Sequence, residues 1–144
     1  DLPPGTGDIS LSLAQFLPQA EVYVVTTPNP AAQRVAQRSA FMSQKVNLEV
    51  KGVIENMSWF TGDDNKRYEL FGEGGGRELA ERLDVPLLAQ VPLVSALREG
   101  GDSGRPITVV DLDSEASKVF EVLATRIDTE LAPSKRTHPE LKIL

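Results

Sequence analysis

An α/β fold with a mostly parallel sheet flanked by helices is what these 144 residues predict. Three observations carry that expectation. Short runs rich in β-branched residues recur at 21–26, 48–55 and 86–91. Stretches with helical spacing stand between them, and proline or glycine punctuates nearly every junction. Strands alternating with helices build right-handed βαβ units around a parallel sheet.

Taken in order, Ile9, Leu11, Leu13, Ala14 and Phe16 follow Asp8, a good helix N-cap residue, and predict a short helix ending near Pro18. EVYVVT (21–26) is nearly continuous in apolar residues, as expected of a strand buried on both faces. Thr27-Pro28-Asn29-Pro30 breaks it, with Asn29 fit to cap and Pro30 to occupy the first helical position. Ala31, Val35, Met42 and Val46 then predict the apolar side of a helix over 30–45. The second strand is expected at 48–55, running into Asn56.

Residues 59–70 read as a polar loop, with a short strand over 67–71. Gly74-Gly75-Gly76 bends the chain into a helix marked by Leu79, Ala80 and Leu83. A third strand is expected at 86–91 with Pro92 as its stop, then a short helix and turn over 97–104. Thr108 to Val110 predicts an edge strand, and Ala116, Val119, Phe120, Leu123 and Ile127 a closing helix. The polar residues 133–144, with two prolines, are expected to form a mobile tail, leaving 1–132 as one domain unit.

Composition narrows the function classes. The chain is 40% hydrophobic and 25% charged, ordinary for a globular protein. A net charge of -6 argues against nonspecific nucleic-acid binding, which draws on a basic surface. Zero cysteines exclude disulfides and thiolate-bound metal within this sequence. No apolar run reaches the roughly 18–20 residues of a membrane span, so no membrane partner and a cytoplasmic setting are expected. Without an initiator methionine, and with Asp1 placed as the last residue of a strand, the sequence is expected to be a piece of a longer protein.

The most suggestive stretch is Asp1-Leu2-Pro3-Pro4-Gly5-Thr6-Gly7-Asp8. Prolines stop a strand and glycines let backbone approach a ligand closely. A carboxylate at that strand end can hold Mg²⁺ through water and sense a phosphate. An ordinary strand-to-helix turn satisfies the same residues. In an α/β sheet, ligands bind beyond the carboxyl ends of the strands, where the loops 1–8, 56–60 and 92–98 fall.

DLPPGTGD resembles the Walker B and switch II segment of the Mrp (ApbC-like) family, relatives of MinD, ParA and the nitrogenase iron protein. The resemblance continues through VVTTP (24–28), KVNLEVKGVIENMSWF (45–60), FGEGGGRELAERL (71–83), VPLLAQVPL (85–93) and LREGGDSGRP (97–106). It implies the later half of a P-loop NTPase fold, lacking the N-terminal phosphate-loop unit. It also implies ATP and Mg²⁺ as ligands, ATP hydrolysis, a homodimer, and iron–sulfur client proteins. By the same resemblance Asp1 helps hold Mg²⁺ and the Gly5 N–H lies near the γ-phosphate. Asn56 reads the adenine edge, which suits an amide that donates and accepts at once, although a turn-forming Asn fits equally well. Pro92 and Leu93 line the base on its other side, and they also serve as strand terminator and core leucine.

Asp8 is assigned to helix capping ahead of a contact with nucleotide or a second subunit. Trp59 and Phe60 divide evenly between a dimer contact and a cover for the core. Two departures from the family qualify the function. No G-x-x-x-x-G-K-[ST] loop occurs, and the glycine run 72–76 lacks its lysine, so the catalytic set is incomplete and the segment alone is expected to be inactive. Many members also carry a C-x-x-C pair between the ENMS and FG motifs, where two subunits share a bridging iron–sulfur cluster. Here that interval has no cysteine, which puts the cluster in doubt; Asp63, Asp64 and Asn65 within it read as a solvated turn ahead of a cation site. The alternative reading is a ParA/MinD-like nucleotide-gated partner-binding switch without a cluster.

Overall fold

The computed structural model describes residues 7–131. The polypeptide runs α1 (Gly7–Phe16), β1 (Glu21–Thr26), α2 (Pro30–Lys45), β2 (Glu49–Glu55), β3 (Phe60–Thr61) and β4 (Arg67–Tyr68). It continues with α3 (Gly75–Leu83), β5 (Leu87–Gln90), α4 (Ser95–Asp102), the single helical turn α5 (Ile107–Val110), and α6 (Glu115–Glu130). β1, β2 and β5 form a parallel sheet in the order β1-β2-β5, and β3 pairs with β4 as a small antiparallel hairpin. All three long strands therefore point their carboxyl ends the same way, with Thr26 opposite Glu55 and Glu55 opposite Gln90.

The core lies between this sheet and the helices α2 and α3, which pack on it and on each other. Val24, Val50 and Val53 from the strands meet Ala36 and Ala40 from α2 and Leu79, Ala80 and Leu83 from α3. α2 starts as its sequence requires: Pro30 is in the first turn, and the Asn29 side chain accepts from the Ala31 N–H at 2.8 Å. α6 runs along β5, where Arg126 Nη1 donates to the carbonyl oxygens of Leu87 (3.2 Å) and Leu88 (3.1 Å).

Several expectations need correction. The buried side of α2 is Gln33, Ala36, Ala40 and Ser43, whereas Val35 is 58% exposed. Small residues let this helix sit close to the sheet and to α3, and that close fit outweighs the apolar stripe that periodicity favoured. β1 is not buried on both faces, because Val24 and Thr26 point into the core while Val25 is 58% exposed. β1 has β2 as its neighbour on one side only among the described residues.

Residues 107–110 form a helical turn rather than an edge strand. The Val109 and Val110 N–H groups both donate back to the Pro106 carbonyl, so hydrogen bonds close locally and β-propensity loses to that geometry. α1 begins at Gly7, so Asp8 lies inside its first turn rather than ahead of it as a cap. The polar loop 59–70 contains a strand at 67–68, but also the unforeseen partner β3. The tail 133–144 lies outside the described residues.

Candidate functional site

Parallel strands bring three chain segments to one edge of the sheet: 26–28, 55–59 and 91–93. Backbone hydrogen bonds weld them together. The Asn56 N–H donates to Thr26 O at 2.7 Å, Ser58 N–H to Val91 O at 3.0 Å, and Leu93 N–H to Trp59 O at 2.7 Å. Asn56, Pro92 and Leu93 are thus neighbours through the backbone, as a shared edge requires.

Asn56 Oδ1 accepts from the Met57 N–H at 2.9 Å, and Met57 takes φ 55°, left-handed and uncommon for its type. Asn56 is therefore a turn former, while its amide nitrogen makes no hydrogen bond among the described residues and remains a donor for a ligand. Pro92 is fully buried and Leu93 half-buried. Asp1 and Gly5 lie outside the described residues, as does the side chain of Asp8.

Sequence reasoning missed Glu55. Its carboxylate is 1% exposed at the end of β2, accepting from the Gly76 N–H and, at 2.7 Å, from Gln90 Nε2. An acid closing an otherwise apolar strand (GVIE) was the available signal. Buried carboxylates need such donors, because an unpaired charge in the interior is costly. Gly74 enters α3 with φ 77°, and Gly76 passes so close to Glu55 that an added Cβ would stand 2.7 Å from the glutamate Cβ. The glycine run thus bends the chain into a helix, as its composition suggested.

A cavity of about 170 Å³ opens beside this pair, walled by Glu55, Ser58, Trp59, Arg67, Glu73 and Gln90 among others. A larger cleft of about 380 Å³ lies between the start of α2 and the glycine run, where Gln33 Nε2 donates to Pro28 O at 2.9 Å. Asn56, Pro92 and Leu93 wall neither space.

The β3–β4 hairpin lies in the interval between the ENMS and FG motifs, and it is fastened by side chains. The Arg67 guanidinium lies 4.1 Å from the centroid of the Trp59 ring and pairs with Glu115 at 2.7 Å, while Thr61 Oγ1 donates to Glu115 Oε2 at 3.2 Å. Trp59 is half-buried, with its Nε1 buried and without an acceptor among the described residues. Phe60 is 38% exposed and pairs with Tyr68 across the hairpin.

Asp63, Asp64 and Asn65 make the hairpin turn, which the Asn65 N–H closes by donating to Gly62 O at 2.9 Å. Asn65 adopts φ 59°, and Asp64 accepts from the Lys66 N–H (3.1 Å) and the Tyr68 hydroxyl (2.9 Å). No group of three or more His, Cys, Asp or Glu suited to a metal occurs among the described residues. With no cysteine in the sequence either, the donors at the hairpin do not fit an iron–sulfur cluster.

The Lys66 backbone N–H, and then the Tyr68 hydroxyl, hold the Asp64 carboxyl below its ordinary value of 3.8. A depressed folded pKa contributes stability above the unfolded value and loses it as pH falls through the folded one. The turn is therefore expected to persist in acid until pH drops below the ordinary aspartate range. An NMR titration of the Lys66 amide that breaks at or above the ordinary value would contradict this.

The fold is similar to that of MinD-type P-loop NTPases. A nucleotide-binding protein from Archaeoglobus fulgidus in complex with ADP superposes with a TM-score of 0.64 at 31% identity, over 83% of this chain and 48% of that one. The cell division ATPase MinD of Pyrococcus furiosus gives 0.60 at 25% identity, over 75% of this chain and 42% of that one. Residues 1–128 match the ParA family model described as NUBPL iron-transfer P-loop NTPase, and the chain belongs to that family.

Similar sequences bear the name iron-sulfur cluster carrier protein. One from Mycobacterium tuberculosis is 47% identical over 135 residues, which is 90% of this chain and 35% of that protein. Another from Synechocystis is 44% identical over 129 residues, 88% of this chain and 36% of that protein. This chain spans about a third of the length of these curated relatives.

Proposed function

We propose that this chain forms the later half of a P-loop NTPase domain and contributes the base side of an ATP site in an iron–sulfur cluster carrier. The observation that carries the reading is the welded edge 26–28, 55–59 and 91–93 beyond the strand ends, where the Asn56 amide nitrogen has no partner among the described residues. Partial coverage of the relatives supports the larger domain, as do the exposed apolar side chains Phe16, Leu17, Val25 and Val35.

In this reading Asn56 orients the base, and Pro92 and Leu93 shape the backbone wall beside it. Asp1 and Gly5 serve the phosphate side, where Mg²⁺, when bound, neutralises phosphate charge. The phosphate loop comes from outside this sequence. Hydrolysis rests on positioning and electrostatics, and its consequence is a changed contact in a homodimer. Asp8, Trp59 and Phe60 are candidates for that contact.

Calorimetric titration of the intact protein with ADP tests the site. Asn56→Ala is expected to weaken ADP binding about tenfold, the worth of one hydrogen bond to the base. Unchanged affinity would remove Asn56 from the base site, and a wild-type protein that binds no ADP would end the nucleotide reading altogether.

A second reading is favoured by the donors of the β3–β4 hairpin: a nucleotide-gated switch that carries no cluster. Anaerobic reconstitution of the intact protein with iron and sulfide separates the two. About four irons per dimer would place the cluster ligands outside this sequence, whereas bound nucleotide without iron would favour the switch.

A further inference from the structure

We infer that Glu55 is the positioning residue of the base-side turn, holding Asn56 in its binding geometry by clamping β2 to α3 and β5. The inference rests on the nucleotide reading above and adds a residue to it.

Glu55 is tied at both ends. Its carboxylate joins Gly76, inside the first turn of α3, to Gln90 at the end of β5. Its backbone carbonyl accepts from the Val91 N–H at 2.8 Å and from Ser58 Oγ at 3.1 Å. The Gly74 cap of α3 supplies no side-chain acceptor, so the glutamate takes that place from a different element, where the positive end of the helix dipole favours it. A buried ionic group is a poor way to gain stability, since well-packed apolar residues often serve as well. What such a group does well is select one geometry.

The turn beyond it needs that selection. Met57 is a non-glycine residue at φ 55°, a conformation that persists only where its surroundings over-determine it. The Glu55 carbonyl, Val91 and Leu93 supply those surroundings by holding Ser58 and Trp59. With the clamp loosened, Asn56 keeps its chemistry and loses its aim.

The test uses the intact protein and compares binding of ADP with GDP by titration calorimetry, alongside amide hydrogen exchange at Gly76 and circular dichroism. Glu55→Gln replaces two charge-assisted hydrogen bonds by neutral ones, because the Gln90 amide can turn to accept from the new amide nitrogen. It is expected to raise the ADP dissociation constant about tenfold, to narrow the preference for ADP over GDP, and to speed exchange at Gly76 with the fold retained. The double variant E55Q/Q90E reverses the pair. The new amide at 55 again accepts from Gly76 and donates to the new carboxylate at 90, so affinity and base preference are expected to return most of the way.

Gln90→Leu removes one donor and leaves the carboxylate in place. It is expected to move the same ratio in the same direction about threefold, which keeps the inference testable should Glu55→Gln not fold. Wild-type binding with an unchanged ADP-to-GDP ratio in E55Q and Q90L overturns the positioning role, as does a double variant no better than E55Q. A wild type that binds neither nucleotide overturns the site itself, a different failure from those.

Discussion

Truncating Leu79 to alanine is expected to destabilise the folded unit by about 3–4 kcal/mol, the range of large-to-small changes at rigid core sites. Leu79 is 1% exposed on α3 and packs within the cluster of Val24, Ala40, Val53 and Leu83. The cost depends on whether the cavity can collapse. Here α3 is held at its start by the Glu55 carboxylate and crowded by Gly75 against Pro28, so neither helix nor strand can move far inward. Urea unfolding of the intact protein measures it through the midpoint at constant slope. A cost under about 1 kcal/mol would show that the sheet and α3 close over the gap and are not rigidly spaced.

Gly75→Ala is expected to cost about 3 kcal/mol for a different reason, overpacking rather than a void. An added Cβ would stand 2.2 Å from Gln33 Nε2 and 2.4 Å from the Pro28 carbonyl oxygen. The glutamine can rotate away at the cost of its own hydrogen bond, but the carbonyl is backbone in the short connection between β1 and α2 and cannot. Gly101 is the control. It lies in α4 with open space around its would-be Cβ, so alanine there is expected to be neutral or to stabilise by about 0.5 kcal/mol. Equal effects at 75 and 101 would refute the close approach of α3 to the connection between β1 and α2.

Elements whose hydrogen bonds and side-chain spacing are local were legible in the chain. The Asn29-Pro30 start of α2, the strand EVYVVT, the Leu79-Ala80-Leu83 side of α3 and the closing helix α6 all follow from neighbours within a few residues. The edge strand expected at 108–110 failed because a β-branched run states a preference, while Pro106 offers a nearer acceptor than any strand. The buried side of α2 failed because closeness of approach is a property of two surfaces. Gln33, Ala36, Ala40 and Ser43 are unremarkable letters until β1 and α3 lie against them.

The candidate site divides the same way. Asn56 and Pro92 could be singled out because each ends a strand and carries a family motif, and chain order alone places strand ends of a parallel sheet on one edge. Glu55 could not be assigned a role from its neighbours. Its partners are 21 and 35 residues away in sequence, at Gly76 and Gln90. The hairpin lock is likewise nonlocal, since Arg67 reaches Glu115 across 48 residues to clamp a loop that reads as merely polar.

By itself, then, the sequence determined the order of the three long strands and the helices that connect them, the strand ends that meet at the candidate site, and the absence of thiolate ligands. Only the tertiary structure decided which face of each element is buried and which buried carboxylate braces the site. Periodicity and capping are settled by contacts a few residues apart, whereas burial and charge pairing depend on groups that become neighbours only once the chain has folded.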